Sequence, residues 1–99
     1  MGTLSLWSQT QQRNIEAMKD LDDLVWSEDQ IEMTKVQRIL SDHCITHLEK
    51  LIQIAKEKES VQLLKSNFYK EKHLKKMELF HSWKAFRYKM LVIYFETIT

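Results

Sequence analysis

The sequence of 99 residues contains no proline, and its one glycine is Gly2. These two residue types most often end helices and shape turns, because proline lacks a backbone N–H and glycine tolerates positive φ. Their scarcity predicts a few long helices, and it excludes the glycine-rich loops that hold phosphates in nucleotide-binding sites. We therefore expect an all-α protein that is elongated, with long coiled-coil-like helices, or that forms an open three-helix arrangement.

Cysteine is equally scarce, since Cys44 is the only one. An intramolecular disulfide is therefore impossible, which fits a reducing compartment. The first ten residues have neither a basic start nor a continuous apolar run, so they do not resemble a secretory signal. The apolar run that begins at Met90 is far shorter than the roughly 20 residues of a membrane-spanning helix. These features predict an intracellular, cytoplasmic protein without a membrane span.

The chain carries almost no net charge, but its two parts differ in sign. The formal net charge is +1 at pH 7, which argues against a dedicated nucleic-acid-binding protein. Residues 1–60 carry seven basic and eleven acidic side chains, a net −4, and residues 61–99 carry eight and three, a net +5. The split predicts a head-to-tail or intramolecular match of the two parts, or a basic end that meets an acidic surface such as that of the cytoskeleton.

The N-terminal part divides into an arm and a helix. Residues 1–9 are predicted to be a flexible arm and residues 10–26 a short helix. The helix is indicated by apolar residues that recur at spacings of three and four, namely Ile15, Met18, Leu21 and Val25. Ser27, followed three residues later by Gln30, fits a capping box, so a second helix is predicted to begin at Glu28.

Residues 28–99 are predicted to form one long helix, or a helix pair with a break near residues 57–60. One helix is favoured by side chains at seven-residue spacing, namely Met33, Leu40, His47, Ile54, Val61 and Phe68. Such a column is typical of coiled-coil packing, although the second column that a coiled coil needs is weak here. An uninterrupted helix from Glu28 to Thr97 would measure about 105 Å and would need a partner to cover its seam.

The C-terminal segment is the most apolar part of the chain and contains the predicted partner-binding site. Five of its residues alternate by four and three, which places them on one helical face: Leu79, Trp83, Phe86, Met90 and Ile93. The site also includes the neighbouring residues Phe80, Arg87 and Tyr94. We expect Trp83 to be mostly buried in the assembled protein. The predicted partners are other proteins in a hetero-assembly, and nucleic acid is not among them.

Two histidines are the nearest approach to a chemical site. His43 and His47 lie four residues apart, a spacing that can bind zinc on a helical face. A third ligand is missing, because Cys44 would point about 100° away from His43. We interpret both histidines as partly buried interface residues. No serine lies in the strained glycine turn that activates a nucleophile, so the sequence predicts no catalytic residue, no metal or cofactor site and no enzyme.

The segment Phe80–Lys84 resembles the aromatic-x-x-Trp-Lys core of the short helical repeats in centriolar centrin-binding proteins. The same repeat has an alanine, paired leucines and a phenylalanine, which in this chain are matched by Ala55, Leu63, Leu64 and Phe68. Glu71 stands where the repeat has tryptophan. The resemblance implies a helix that is bound by a small calcium-sensor protein in a centriole or cilium.

Three hypotheses follow from these patterns. The first is a structural or scaffolding helical protein that packs on partner helices in a larger assembly, cytoskeletal or ciliary in kind. The second is an adaptor whose basic C-terminal helix is bound by an EF-hand protein such as centrin or calmodulin, because Leu79, Phe86 and Val92 have 1-8-14 anchor spacing. The third is a self-contained bundle with helices near residues 10–25, 28–57 and 60–97.

Overall fold

Four α-helices make up the computed structural model, which describes residues 6–98 and, for side chains, residues 9–98. The helices are α1 Leu6–Trp26, α2 Met33–Asp42, α3 Glu49–Glu71 and α4 Lys75–Ile98. No β-strand occurs within residues 6–98, and the predicted all-α class is confirmed. Helix α1 begins at Leu6, so the predicted flexible arm is wrong for residues 6–9. Its remaining part, residues 1–5, lies outside the described residues.

The chain divides into two compact units, residues 1–51 and residues 52–99, and the division falls inside α3. In the first unit, α1 and α2 contact each other. Their buried apolar residues are Ala17, Met18, Leu21, Val25, Val36 and Leu40. Three of the four residues that predicted the apolar side of α1 are therefore buried, whereas Ile15 is exposed. The buried side chains have helical spacing, and full burial of each large one stabilises the unit by about 1.5–3 kcal/mol.

The segment between α1 and α2 differs from the predicted helix start at Glu28. The Ser27 hydroxyl donates to the Leu24 carbonyl oxygen at 2.9 Å, and the Ser27 N–H donates to the Asp23 carbonyl oxygen at 3.0 Å. Serine therefore satisfies the carbonyls of the preceding turn instead of capping a following helix. Helix α2 begins five residues later than predicted, at Met33, after Glu32 in an extended conformation.

The predicted long helix over residues 28–99 is interrupted after α2 and again after α3. At each end one non-glycine residue adopts a left-handed conformation, Cys44 with φ 55° and His73 with φ 59°. The N–H groups of Cys44 and His73 bond three residues back, and those of Ile45 and Leu74 bond five residues back. This is the Schellman pattern, which usually has glycine at the left-handed position. Helix α3 runs through residues 57–60, so the predicted break there is wrong.

The left-handed residues make a stabilising substitution predictable. Because a side chain costs about 1–2 kcal/mol in this conformation, His73→Gly should raise the free energy of unfolding by about 1 kcal/mol after the greater entropy of unfolded glycine is offset. The matched control is Lys70→Gly inside the last turn of α3, which should lower stability by about 1 kcal/mol. Urea unfolding measures both. Equal destabilisation by the two substitutions would contradict the assigned turn.

The second unit pairs the C-terminal part of α3 with α4. The buried residues of this part of α3 are small or polar, namely Ala55, Gln62 and Ser66. The buried side of α4 is larger and consists of His81, Lys84, Ala85, Arg87, Tyr88, Leu91, Val92 and Phe95. The two helices are also joined by polar contacts. His81 Nδ1–H donates to Gln62 Oε1 at 2.7 Å, and the Ser66 hydroxyl donates to the Glu78 carbonyl oxygen at 3.1 Å. These bonds fix the register of α4 along α3.

His81 makes the second unit sensitive to pH. Burial, and then the nearby charge of Lys65, lower the pKa of its imidazole. The unfolded chain, with an ordinary histidine pKa of about 6.5, therefore takes up this proton at a higher pH than the folded chain. The contribution of His81 to stability is complete above pH ~6.5 and is lost as the pH falls from there through the lower folded pKa.

We expect the free energy of unfolding to fall between about pH 7.5 and about pH 5.5, and to fall less in His81→Gln than in the wild type. Glutamine does not titrate in this range, and the remaining histidines contribute equally to both proteins. Urea unfolding at the two pH values gives the comparison. An identical fall in both proteins would show that the burial of His81 does not control the effect.

Candidate protein-binding face

Helix α4 carries apolar side chains on both of its sides. Its buried side faces the core of the second unit, and large apolar residues lie on the opposite side of the helix. We call the following residues the outer face of α4: Leu79, Trp83, Phe86, Met90 and Ile93 on the opposite side, together with Phe80 at the edge beside the buried side. All are exposed except Met90, which is half-buried. The exposed fraction reaches 57% for Phe86 and 45% for Trp83. The outer face is therefore an apolar surface that the chain itself leaves largely uncovered.

The eight residues predicted to bind a partner do not share one environment. Six of them form the outer face, whereas Tyr94 is half-buried at its edge and Arg87 is buried. Their spacing identified the exposed side of the helix, because residues three and four apart in a helix lie on one side. The spacing could not identify Arg87 as buried, since that depends on contacts with Trp83 and with the rest of the unit.

Two cations hold the indole of Trp83. Lys84 Nζ lies 4.7 Å and Arg87 Cζ 4.8 Å from the centroid of the Trp83 ring. Lys84 Nζ also lies 5.3 Å from the ring centroid of Phe80. Cation–π contacts of this kind contribute about 0.5–2 kcal/mol and restrict the rotamers of the ring. Burial, and then the charge of Arg87, lower the pKa of Lys84. Trp83 is thus oriented before any partner binds.

A smaller apolar stripe lies on α3. Val61, Leu64 and Phe68 are spaced by three and four residues and are all exposed, Leu64 by 68%. Val61 and Phe68 belong to the predicted column at seven-residue spacing that begins at Met33. The structure contradicts one continuous column, because the segment between α2 and α3 interrupts the helix. Leu40 is buried in the first unit, whereas Val61 and Phe68 are exposed in the second.

The two candidate metal-binding histidines do not lie on one helical face. His43 follows α2 directly and His47 lies in the irregular segment before α3. His43 Nε2 contacts Asp20 Oδ2 at 2.6 Å, and His43 Nδ1 lies 4.0 Å from Glu16 Oε2. His43 is half-buried as predicted, but His47 is exposed, because the helix ends between them. Within residues 6–98, no three potential ligands are grouped closely enough to hold a metal ion.

The first unit contains an open cavity of about 380 Å³. It lies beside the N-terminal part of α1 and the segment that leads into α3. Its side chains include Arg13, Asn14, Cys44, His47 and Lys50. Cys44 is exposed and occupies the left-handed turn that ends α2.

None of the helices within residues 6–98 is long and apolar enough to cross a membrane. Comparison of the chain with family models, curated proteins and solved structures finds no match. The resemblance of Phe80–Lys84 to centrin-binding repeats stays a prediction.

Proposed function

We propose that this chain is a structural, protein-binding subunit in which the outer face of α4 packs against a helix of a partner protein. One observation carries the proposal: α4 is apolar on both sides, and only one side is covered. A helix with large apolar residues on two opposite sides ordinarily has both sides covered. Because no described helix can span a membrane, a protein partner is the covering that we propose.

The size of the outer face supports this proposal. A large side chain presents roughly 150–250 Å² when extended, so six such residues at about half exposure present on the order of 500 Å² of apolar surface. The largest apolar patch of a typical monomer is about 300–600 Å² and is often functional. A specific interface buries about 800 Å² on each partner. The outer face, with a polar rim, is therefore large enough for the centre of such an interface.

This role is one of binding and not of catalysis. The outer face contains no titratable side chain, and its residues offer packing surface and one oriented indole. A scaffolding role in a larger hetero-assembly follows naturally from a subunit that covers a partner helix. A cytoskeletal or ciliary setting is part of the proposal, and its support is the resemblance carried by Phe80–Lys84.

The alternative, an adaptor whose α4 is captured by an EF-hand protein, is favoured by the basic residues around Trp83. The anchors of such a helix must face the partner together. Leu79 and Phe86 are exposed, but Val92 is buried with 5% exposure. Helix α4 would have to leave α3 before all three could bind. We therefore prefer a partner that packs on the outer face while the α3–α4 pair stays intact.

Photocross-linking tests this choice. A photoreactive phenylalanine analogue replaces Phe86 in the full chain, which is expressed in its native cells. The matched control places the same analogue at Ile15, which has a similar exposed fraction of 50%. We expect position 86 to cross-link to one protein that position 15 does not reach. Identical products from both positions, or none from position 86, would contradict the proposed face.

A further inference from the structure

The occupant of the outer face can be specified by its shape and charge. Resting on the proposed function, we propose that it is an acidic amphipathic helix of a partner protein. The outer face is an apolar stripe, and two of the three exposed charged residues at its flanking positions are lysines. A single helix with an apolar stripe between acidic residues matches both properties.

The exposed residues of the outer face have the spacing of a helix-pairing stripe. Leu79, Trp83, Phe86, Met90 and Ile93 follow each other by four, three, four and three residues. This is the a/d pattern by which one helix inserts its side chains between those of another. Other large apolar residues of α4, such as Tyr88, Leu91 and Phe95, are buried within the second unit. What remains is a stripe the width of one helix.

Basic residues occupy several of the positions that flank this stripe. In a paired helix the e and g positions face the corresponding positions of the partner and select it by charge. If Trp83 and Met90 occupy position a, three flanking positions are basic: Lys75, Arg87 and Lys89. Lys75 and Lys89 are exposed and can face a partner, whereas Arg87 is buried beside Trp83. Glu96 is the one acidic residue in the same positions. A partner helix with glutamate or aspartate at its flanking positions complements this rim.

A second copy of the chain is disfavoured as the occupant. Two outer faces would bring the same basic rims together, and residues 61–99 carry a net charge of +5. Like charges at flanking positions weaken a helix pair. An anionic membrane surface also binds helices whose apolar residues lie beside lysines, so it is the alternative to a partner helix. A surface-bound helix ordinarily uses a broader apolar side than an a/d stripe, so the spacing favours a helix.

Two synthetic helices of about four heptads provide the probes. Both have leucine at a and d, and they carry glutamate or lysine at every e and g position, so that neither pairs with itself. We expect the full chain to bind the glutamate peptide at least ~10-fold more tightly than the lysine peptide at low salt, with a preference that shrinks as salt rises. Isothermal titration calorimetry measures both affinities.

The role of the two exposed lysines that flank the outer face is tested by the double substitution Lys75→Glu and Lys89→Glu in the full chain. It should abolish or reverse the preference for the glutamate peptide, because it inverts the flanking charges. The matched control, Lys19→Glu with Lys56→Glu, also changes two exposed lysines and should leave the preference intact. An unchanged preference in the rim variant would overturn the inference.

Further outcomes separate this inference from the proposed function. Equal binding of both peptides, lost in Phe86→Gln, would overturn the acidic partner while supporting a helix-binding outer face. If neither peptide bound but the cross-link from position 86 were still present, the acidic partner helix would be overturned and the outer face would still be supported as a protein-binding surface. Binding only to vesicles of phosphatidylserine and phosphatidylcholine, without that cross-link, would overturn both the acidic partner and the proposed function.

Discussion

Glu59→Pro should lower the free energy of unfolding by about 3 kcal/mol or more. Glu59 lies well inside α3, which runs from Glu49 to Glu71. Proline would remove the helical hydrogen bond to the Ala55 carbonyl and would clash with that carbonyl group. Ala55 is fully buried, so relaxation around it would disturb packing as well. For a domain of this size the melting temperature should fall by roughly 10–20 °C.

Lys75→Pro is the matched control. Lys75 is the first residue of α4, and the Glu78 N–H bonds to the carbonyl of Leu74 just before it. Proline is well tolerated at the first position of a helix, because the N–H there has no helical acceptor. Its effect should stay below about 0.5 kcal/mol. A small effect of proline at both positions would contradict a continuous α3 and would support the hypothesis of a three-helix bundle with a break near residues 57–60.

Trp83→Ala should weaken partner binding by about 30-fold, which corresponds to ~2 kcal/mol, while changing the stability of the chain far less. Aromatic residues at the centre of an interface are common hot spots, and Lys84 and Arg87 already orient this indole. In a chain that buried Trp83 in its own core, truncation would cost about 3–5 kcal/mol of folding free energy. Trp83 is 45% exposed, so most of the loss should appear on binding.

Trp26→Ala is the matched control for Trp83→Ala, because it removes an indole of similar exposure that lies outside the proposed interface. Trp26, the last residue of α1, has nearly the same exposed fraction, 43%. Partner affinity, measured with the assembly isolated from the native source, should fall for Trp83→Ala and stay within about threefold for Trp26→Ala. Equal losses for both variants would contradict a specific role of the outer face.

The sequence predicted the helical class and the end of α1 at Trp26, but not the ends of α2 and α3. Long segments of helix formers without proline or glycine have few alternatives to helix. Helix ends, however, depend here on the left-handed residues Cys44 and His73, which carry no glycine signal. Histidine is enriched in this conformation, so His73 was the one available hint. The bonds to Leu40 and Tyr69 that close these ends form only once the helices exist.

The composition of the candidate face was predictable, whereas the covered side of α4 was not. The four-and-three spacing selected five residues that are exposed except for the half-buried Met90, namely Leu79, Trp83, Phe86, Met90 and Ile93. Because α4 has large apolar residues on two opposite sides, its periodicity does not show which side meets α3. That choice depends on long-range contacts such as His81 with Gln62 and the stacking of His81 on Tyr69 at 5.4 Å. Neither pair shares a helix, so no local pattern encodes it.

The accessibility of Trp83 before and after assembly tests the central claim most directly. In a full chain with Trp7→Phe and Trp26→Phe, Trp83 is the only tryptophan. We expect its fluorescence in the isolated chain to be readily quenched by acrylamide. In the assembly purified from the native source, we expect a blue-shifted emission that resists quenching, because the partner helix covers the indole. Equal quenching in the isolated chain and in the assembly would contradict the outer face of α4 as the partner-binding surface.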